Sequence, residues 1–343
     1  MDKRVIVTGG AGYIGSHILV ELLTAGWDAL VIDDFSNSSP IALDRVAAIT
    51  GRRPEFLKAD LADAAQSPSV FGAVAAFKPA GAIHLAGLKA VGESVSDPVR
   101  YYGVNIGSAV TLIRAMEAAG ARAIVFSSSA TVYGDLNQSP VSEAGATGPT
   151  NPYGKSKFFI EEMLRDLASA DPRWQIANLR YFNPVGAHPS GEIGEDPNGV
   201  PNNLFPYIAQ VAVGRLPKLK IFGGDYPTPD GTGVRDYIHV VDLARGHLAA
   251  LEFLASKKSA GAVDINLGTG LGVSVLQAVA AFKRASNRDI PYEVAARRPG
   301  DVATVYADAA KAKALLGWRA TKTIKEMCAD HWRWQSANPE GYR

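Results

Sequence analysis

The chain has a single cysteine, Cys328, among 343 residues. That excludes an internal disulfide and suits a reducing compartment. Nor is there a surplus of either charge: 35 Lys and Arg stand against 34 Asp and Glu, so no bulk field draws the chain to nucleic acid or an anionic membrane. No apolar run approaches the ~20 residues that span a bilayer. After the basic pair Lys3-Arg4 comes only Val5-Ile6-Val7, too short for a secretory signal, and a cytoplasmic location is expected. The histidines (His17, His84, His188, His239, His247, His331) lack metal-ligand spacing; packing and hydrogen bonding are expected of them, and no metal site. Apolar residues make up 47% of the chain, enough for a large core and two domains.

The run Arg4-Val5-Ile6-Val7-Thr8 reads as a strand, and Gly9-Gly10-Ala11-Gly12-Tyr13-Ile14-Gly15 follows it. Apolar Ile14, Ile18, Leu19, Leu22 and Leu23 then keep helical spacing up to Gly26. Gly9, Gly12 and Gly15 fit a phosphate-binding turn. Glycines permit the sharp bend and close approach, and the helix N-terminus offers free N–H groups to a pyrophosphate. The next strand, Ala29 to Ile32, ends at Asp33, ~20 residues on, where a carboxylate can accept from both adenosine ribose hydroxyls. It would repel a 2′-phosphate, so NAD is expected rather than NADP.

Further strands are expected at 55–60, 82–85, 123–126, 175–180 and 262–266, alternating with helices. This is α/β: a Rossmann-type doubly wound parallel sheet of about seven strands, with ligands at the carboxyl ends. Asp60-Leu61 is placed to meet adenine, and the small residues of Ala86-Gly87-Leu88-Lys89 let a dinucleotide cross the strand ends. Residues 183–235 are rich in Pro, Gly and Asn and read as an irregular ligand-binding segment. The expected domains are 1–182 with a returning segment at about 241–269, and a smaller mixed α/β substrate domain from 183–240 and 270–343. The aromatics of His331-Trp332-Arg333-Trp334 are expected to pack down rather than stack on nucleic acid.

The chemistry centres on Ser127-Ser128-Ser129 at the fifth strand's end and on Tyr153-Gly154-Lys155-Ser156-Lys157. Tyr153 and Lys157, four apart, share a helix face. A phenol of pKa ~10 is a poor base at neutral pH. An ammonium ~5 Å away would stabilise its phenolate by roughly 3 kcal/mol at an effective dielectric of ~20. Tyr153 as base, Lys157 as its modulator and Ser129 on the reacting oxygen would serve hydride transfer from an alcohol.

These motifs, with Gly9 to Ser16, Ala86 to Ser94, Leu179 to His188, Pro201-Asn202-Asn203-Leu204 and Gly233 to Val240, make the chain resemble the UDP-glucose (UDP-galactose) 4-epimerases of the extended short-chain dehydrogenase/reductase group. The likeness runs nearly end to end. It implies reversible C4 inversion of UDP-glucose and UDP-galactose through a 4-keto sugar with tightly held NAD. On that resemblance the cofactor would also meet Tyr13, Ile14, Asp34, Asn37, Ser38, Leu85, Ala86, Gly87, Lys89, Asn105, Ser127 and Phe182. The UDP-sugar would meet Lys89, Asn183, Asn203, Leu204, Lys220, Phe222, Arg235, Arg298, Asp301 and Val305. A homodimer through helices near 98–119 and 152–169 is implied as well. Val305 stands where relatives restricted to plain hexoses carry tyrosine, which implies room for an N-acetylated sugar. Leu85 replaces a common phenylalanine, and Gly103-Val104-Asn105 a common asparagine pair. Other readings are a sugar-nucleotide 4,6-dehydratase, for which Ala130-Thr131-Val132 supplies no acid, and a non-catalytic NAD-sensing scaffold.

Overall fold

The computed structural model describes residues 3–256, 261–298 and 301–342. Its strands are β1 Arg4–Thr8, β2 Asp28–Asp33, β3 Glu55–Lys58, β4 Gly81–His84, β5 Ala123–Ser129, β6 Gln175–Tyr181, β7 Asn183–Val185, β8 Leu219–Phe222, β9 Val234–His239, β10 Gly261–Leu267, β11 Gly272–Ser274, β12 Tyr292–Ala295 and β13 Thr304–Val305. Seven of them form one parallel sheet in the order β10-β6-β5-β4-β1-β2-β3. The strand order reverses between β1 and β4, where the carboxyl ends of a doubly wound sheet leave a ligand crevice.

Side-chain alternation sends Val5, Val7, Val125 and Leu179 to one face, with the Tyr13–Thr24 and Val240–Ala255 helices. Ile6, Ile124, Phe126 and Ile176 go to the other, under the Pro98–Ala118 and Pro152–Ala170 helices. Both faces being covered, the central strands β1 and β5 carry near-continuous apolar runs rather than alternating.

The remaining strands build two small sheets, β11-β9-β13 with β7 beside β9, and β12-β8. The Leu204–Ala212, Val275–Ser286 and Ile324–Ala337 helices pack there around Phe205, Ile208, Tyr237 and Phe282. The segment expected to be irregular thus contains a helix, Leu204–Ala212. Its Pro206 lies in the first turn, where a missing N–H costs nothing.

A second departure concerns residues 310–320, expected with the substrate domain. Ala312, Leu316 and Trp318 pack into the large sheet's core. The reason is Asp242, which accepts from the N–H groups of Thr321 and Lys322, both at 2.8 Å, while Trp318 donates to its carbonyl. In the C-terminal helix Trp334 is buried, as its spacing implies. Among the described residues no helix is long and apolar enough to cross a membrane.

Candidate active site

The glycine turn is close-packed. A Cβ on Gly15 would lie 2.4 Å from the Gly9 carbonyl oxygen, and one on Gly9 (φ +67°) 2.9 Å from Ala86 N. Gly12 caps the Tyr13–Thr24 helix without a side-chain hydrogen bond, leaving the first turn's N–H groups to a ligand. Thr8 Oγ1 accepts from the N–H groups of Leu85 (3.1 Å) and Ala86 (3.2 Å), so the turns after β1 and β4 are tied together. Asp33 accepts from Ala11 N, Phe35 N and the Ser38 hydroxyl. Burial raises its pKa, and those three donors draw it back down. The cradle therefore fits a dinucleotide on its own geometry.

Not every expected cofactor contact presents a side chain. Asp34 accepts from Ser36. Asp60 accepts from Ala62 N, and Leu61 is buried in the core, so Leu61 can offer only backbone. Asn105 is buried behind its loop: it accepts from Leu88 N at 2.7 Å and donates to Leu88 O and to Ser156 Oγ. Its amide holds Gly87-Leu88 (φ +153° at Gly87) against the Pro152–Ala170 helix. Asn105 thus supports the loop. Tyr13 donates its hydroxyl to Gly186 O at 2.7 Å. Gly186 in turn packs on the His239 ring.

The reacting groups do converge. Asn151 caps the Pro152–Ala170 helix by accepting from Gly154 N at 2.8 Å, and Pro152 starts the first turn. Tyr153 therefore enters at the helix N-terminus, beside the end of β5. Its phenol is pushed up by burial and drawn down by a hydrogen bond with Ser129. Lys157 donates to Ser127 O at 2.8 Å, 5.9 Å from the Tyr153 ring centre, and burial brings it down to about 8.

Lys157 is held on that carbonyl, and burial is the largest influence on both it and Tyr153. Behind it His84, stacked on Phe126, is pushed down to about 3 by burial and then by Lys157, and stays neutral.

A third group on the same helix face went unnoticed in the sequence. Glu161, four residues beyond Lys157, is fully buried and accepts from the Ser128 hydroxyl at 2.5 Å. It also receives Arg180 through two bonds of 2.9 and 2.6 Å. Arg180 continues to Asp264 (3.0 Å) and to the Tyr133 hydroxyl (3.1 Å). Tyr153, Lys157 and Glu161 are thus anchored on three consecutive serines of β5.

Across the crevice, Phe182 is buried against Val132, Val141 and Ala307, with Val305 at the margin. Val305 pairs with Arg235 in adjacent strands. Arg235 lies 3.6 Å from Asp301, and the Arg298 guanidinium sits 3.9 Å over the Phe222 ring. Lys220 projects on the Phe222 side of β8. Asn183 is exposed at the start of β7. Asn203 caps the Leu204–Ala212 helix and donates to Glu195 at 3.1 Å, and Lys89 reaches the same carboxylate at 3.0 Å. Glu195 had no motif to reveal it. Among the described residues no cluster of three or more His, Cys, Asp or Glu could hold a metal ion.

Residues 6–331 match a family described as GDP-mannose 4,6 dehydratase. A UDP-glucose 4-epimerase of Bacillus subtilis is 58% identical over 99% of this chain and 98% of its own length. The chain belongs to the UDP-glucose 4-epimerase family. The Homo sapiens epimerase is 55% identical over 100% of this chain and 99% of its own. A solved epimerase from Bifidobacterium longum, in complex with NAD+ and UDP, superposes with a TM-score of 0.94 at 50% identity, covering 98% of this chain and 99% of that one. That superposition takes in nearly the whole of the architecture described above.

Proposed function

We propose that the chain interconverts UDP-glucose and UDP-galactose by inverting C4, with NAD held in the glycine cradle. The observation that carries this reading is the convergence of Ser129, Tyr153 and Lys157 at the end of β5. Gly9, Gly12, Gly15 and Asp33 would hold NAD, which would supply the acceptor and donor for the C4 hydride. Tyr153 as phenolate removes the 4-hydroxyl proton, while the Ser129 hydroxyl holds the reacting oxygen. The resulting 4-keto sugar stays bound through its UDP part, turns about the diphosphate link and is reduced on its other face, with Tyr153 giving the proton back. No net redox occurs. Two arginines, Arg235 and Arg298, suit a diphosphate through charge-assisted, forked donors. Phe222 offers its ring to uracil and Asp301 its carboxylate to the uridine ribose, with Asn183, Leu204 and Lys220 completing the cleft. A 4,6-dehydratase would need an acid for water elimination beside β5, and the turn Ala130–Tyr133 has none. A silent NAD-binding scaffold has no use for all three reacting groups.

Turnover of UDP-galactose to UDP-glucose without added NAD tests this function. Failure even with NAD supplied overturns it. Because Lys157 sits near 8, its ammonium is present below that pH and lost above it. The expected kcat/KM therefore falls on an alkaline limb near pH 8 rather than near the ordinary lysine value of ~10.4. A profile flat to pH 10 would contradict that assignment.

Val305, smaller than tyrosine, supports the reading that an acetamido group is admitted. UDP-N-acetylglucosamine is expected to be a substrate, and Val305→Tyr to cut that activity at least about tenfold more than activity on UDP-glucose, about 1.4 kcal/mol of discrimination. Equal effects on both sugars would reject it. We also propose a homodimer. Val95, Val99 and Phe159 are exposed on neighbouring helices, an apolar face suited to a second copy. Sedimentation at the mass of two chains is the check, and a single-chain mass rejects it.

A further inference from the structure

Glu195 lies in Gly194-Glu195-Asp196. Its backbone is held hard. A Cβ on Gly194 would collide with the Trp334 ring at 2.3 Å, Trp334 Nε1 donates to Glu195 O at 3.3 Å, and Tyr342 N donates to Asp196 at 2.9 Å. The carboxylate, its side chain 3% exposed, points into the seam between the β4 loop and the Leu204–Ala212 helix. There Oε1 accepts from both Lys89 Nζ and Asn203 Nδ2, while Oε2 is buried without a partner.

A buried carboxylate with one unsatisfied oxygen is a net cost to folding. Lys89, by contrast, is half exposed (49%) and would be solvated without it. Stability therefore gives no reason for the pair. Its two partners do, because one comes from the cofactor loop and the other from the substrate segment. A flexible lysine loses much rotamer freedom when a ligand orders it, and a fixed counter-ion removes that loss beforehand.

We infer that Glu195 is a positioning residue: it pre-orders the Lys89 ammonium and the Asn203 amide together, so that the cofactor loop and the nucleotide-sugar cleft present their donors as one unit. This rests on the proposed ligand roles of Lys89 and Asn203.

The test is Glu195→Gln, which keeps the shape and an acceptor for Asn203 but removes the charge. UDP binding by calorimetry, NAD per chain after gel filtration, KM, kcat and the thermal midpoint are compared with wild type. The expected result is UDP binding about tenfold weaker and KM raised by a similar factor, with kcat changed less and the thermal midpoint unchanged or higher. Unchanged or tighter UDP binding overturns the inference, as does a fall in thermal midpoint large enough to explain the lost activity. Lys89→Met gives an independent arm. If Glu195 works through Lys89, adding Glu195→Gln to Lys89→Met weakens KM little further, whereas fully additive losses overturn the linkage. Failure of the functional reading would look different: an inactive wild type whose UDP binding still separates from that of the variant.

Discussion

Tyr153→Phe is expected to lower kcat for UDP-galactose by about 1,000-fold or more, the range in which a general base acts, with the fold and bound NAD retained. The substitution removes one oxygen and nothing else. The ring keeps its place at the start of the Pro152–Ala170 helix because Asn151 and Pro152 fix that turn. Lys157 keeps its bond to Ser127 O, so the site stays assembled around a missing base. Ser129 would be left with Thr131, whose N–H and hydroxyl both donate to its oxygen. A serine so engaged cannot take over proton removal. Steady-state kinetics with a circular dichroism control measure this. A variant retaining a tenth of wild-type kcat would show that Tyr153 is not the base.

The second large effect is on stability. Glu161→Ala is expected to cost about 3–5 kcal/mol in denaturant unfolding, the usual result of removing one partner of a buried ion pair. Arg180, itself 2% exposed, would keep Asp264 but lose both bonds to Glu161, and Ser128 would lose its acceptor. Arg165, which bridges Glu161 and Asp264, softens the loss because it is less buried. The same change should loosen the helix that carries Tyr153 and Lys157. Cost below about 1 kcal/mol would mean that Arg180 is satisfied by Asp264 and Tyr133 alone.

The large sheet was legible in the sequence because its central strands are apolar runs closed by a glycine or polar stop. The pairing of Tyr153 with Lys157 was legible because four-residue spacing on a helix is a local property. What escaped the sequence depends on contacts between distant segments. Glu161 reads as one more charged helix residue until Arg180 arrives from β6. Glu195 reads as loop until Lys89 and Asn203 meet over it. The helix at Leu204–Ala212 was hidden by Pro206 amid other prolines and glycines. Trp318 looked like part of the second domain because nothing nearby in sequence reveals that Asp242 captures Thr321 and Lys322. Nothing near Asn105 in sequence shows that its amide ties Leu88 to Ser156.

Central to the proposed reaction is a hydride that leaves C4 and returns to the same carbon. Its most direct test is mass spectrometry on UDP-galactose deuterated at C4, converted without added NAD in ordinary water. The prediction is UDP-glucose that keeps the full label at C4. Deuterium lost to solvent, or a product lighter by one water with the label moved to C6, would contradict it.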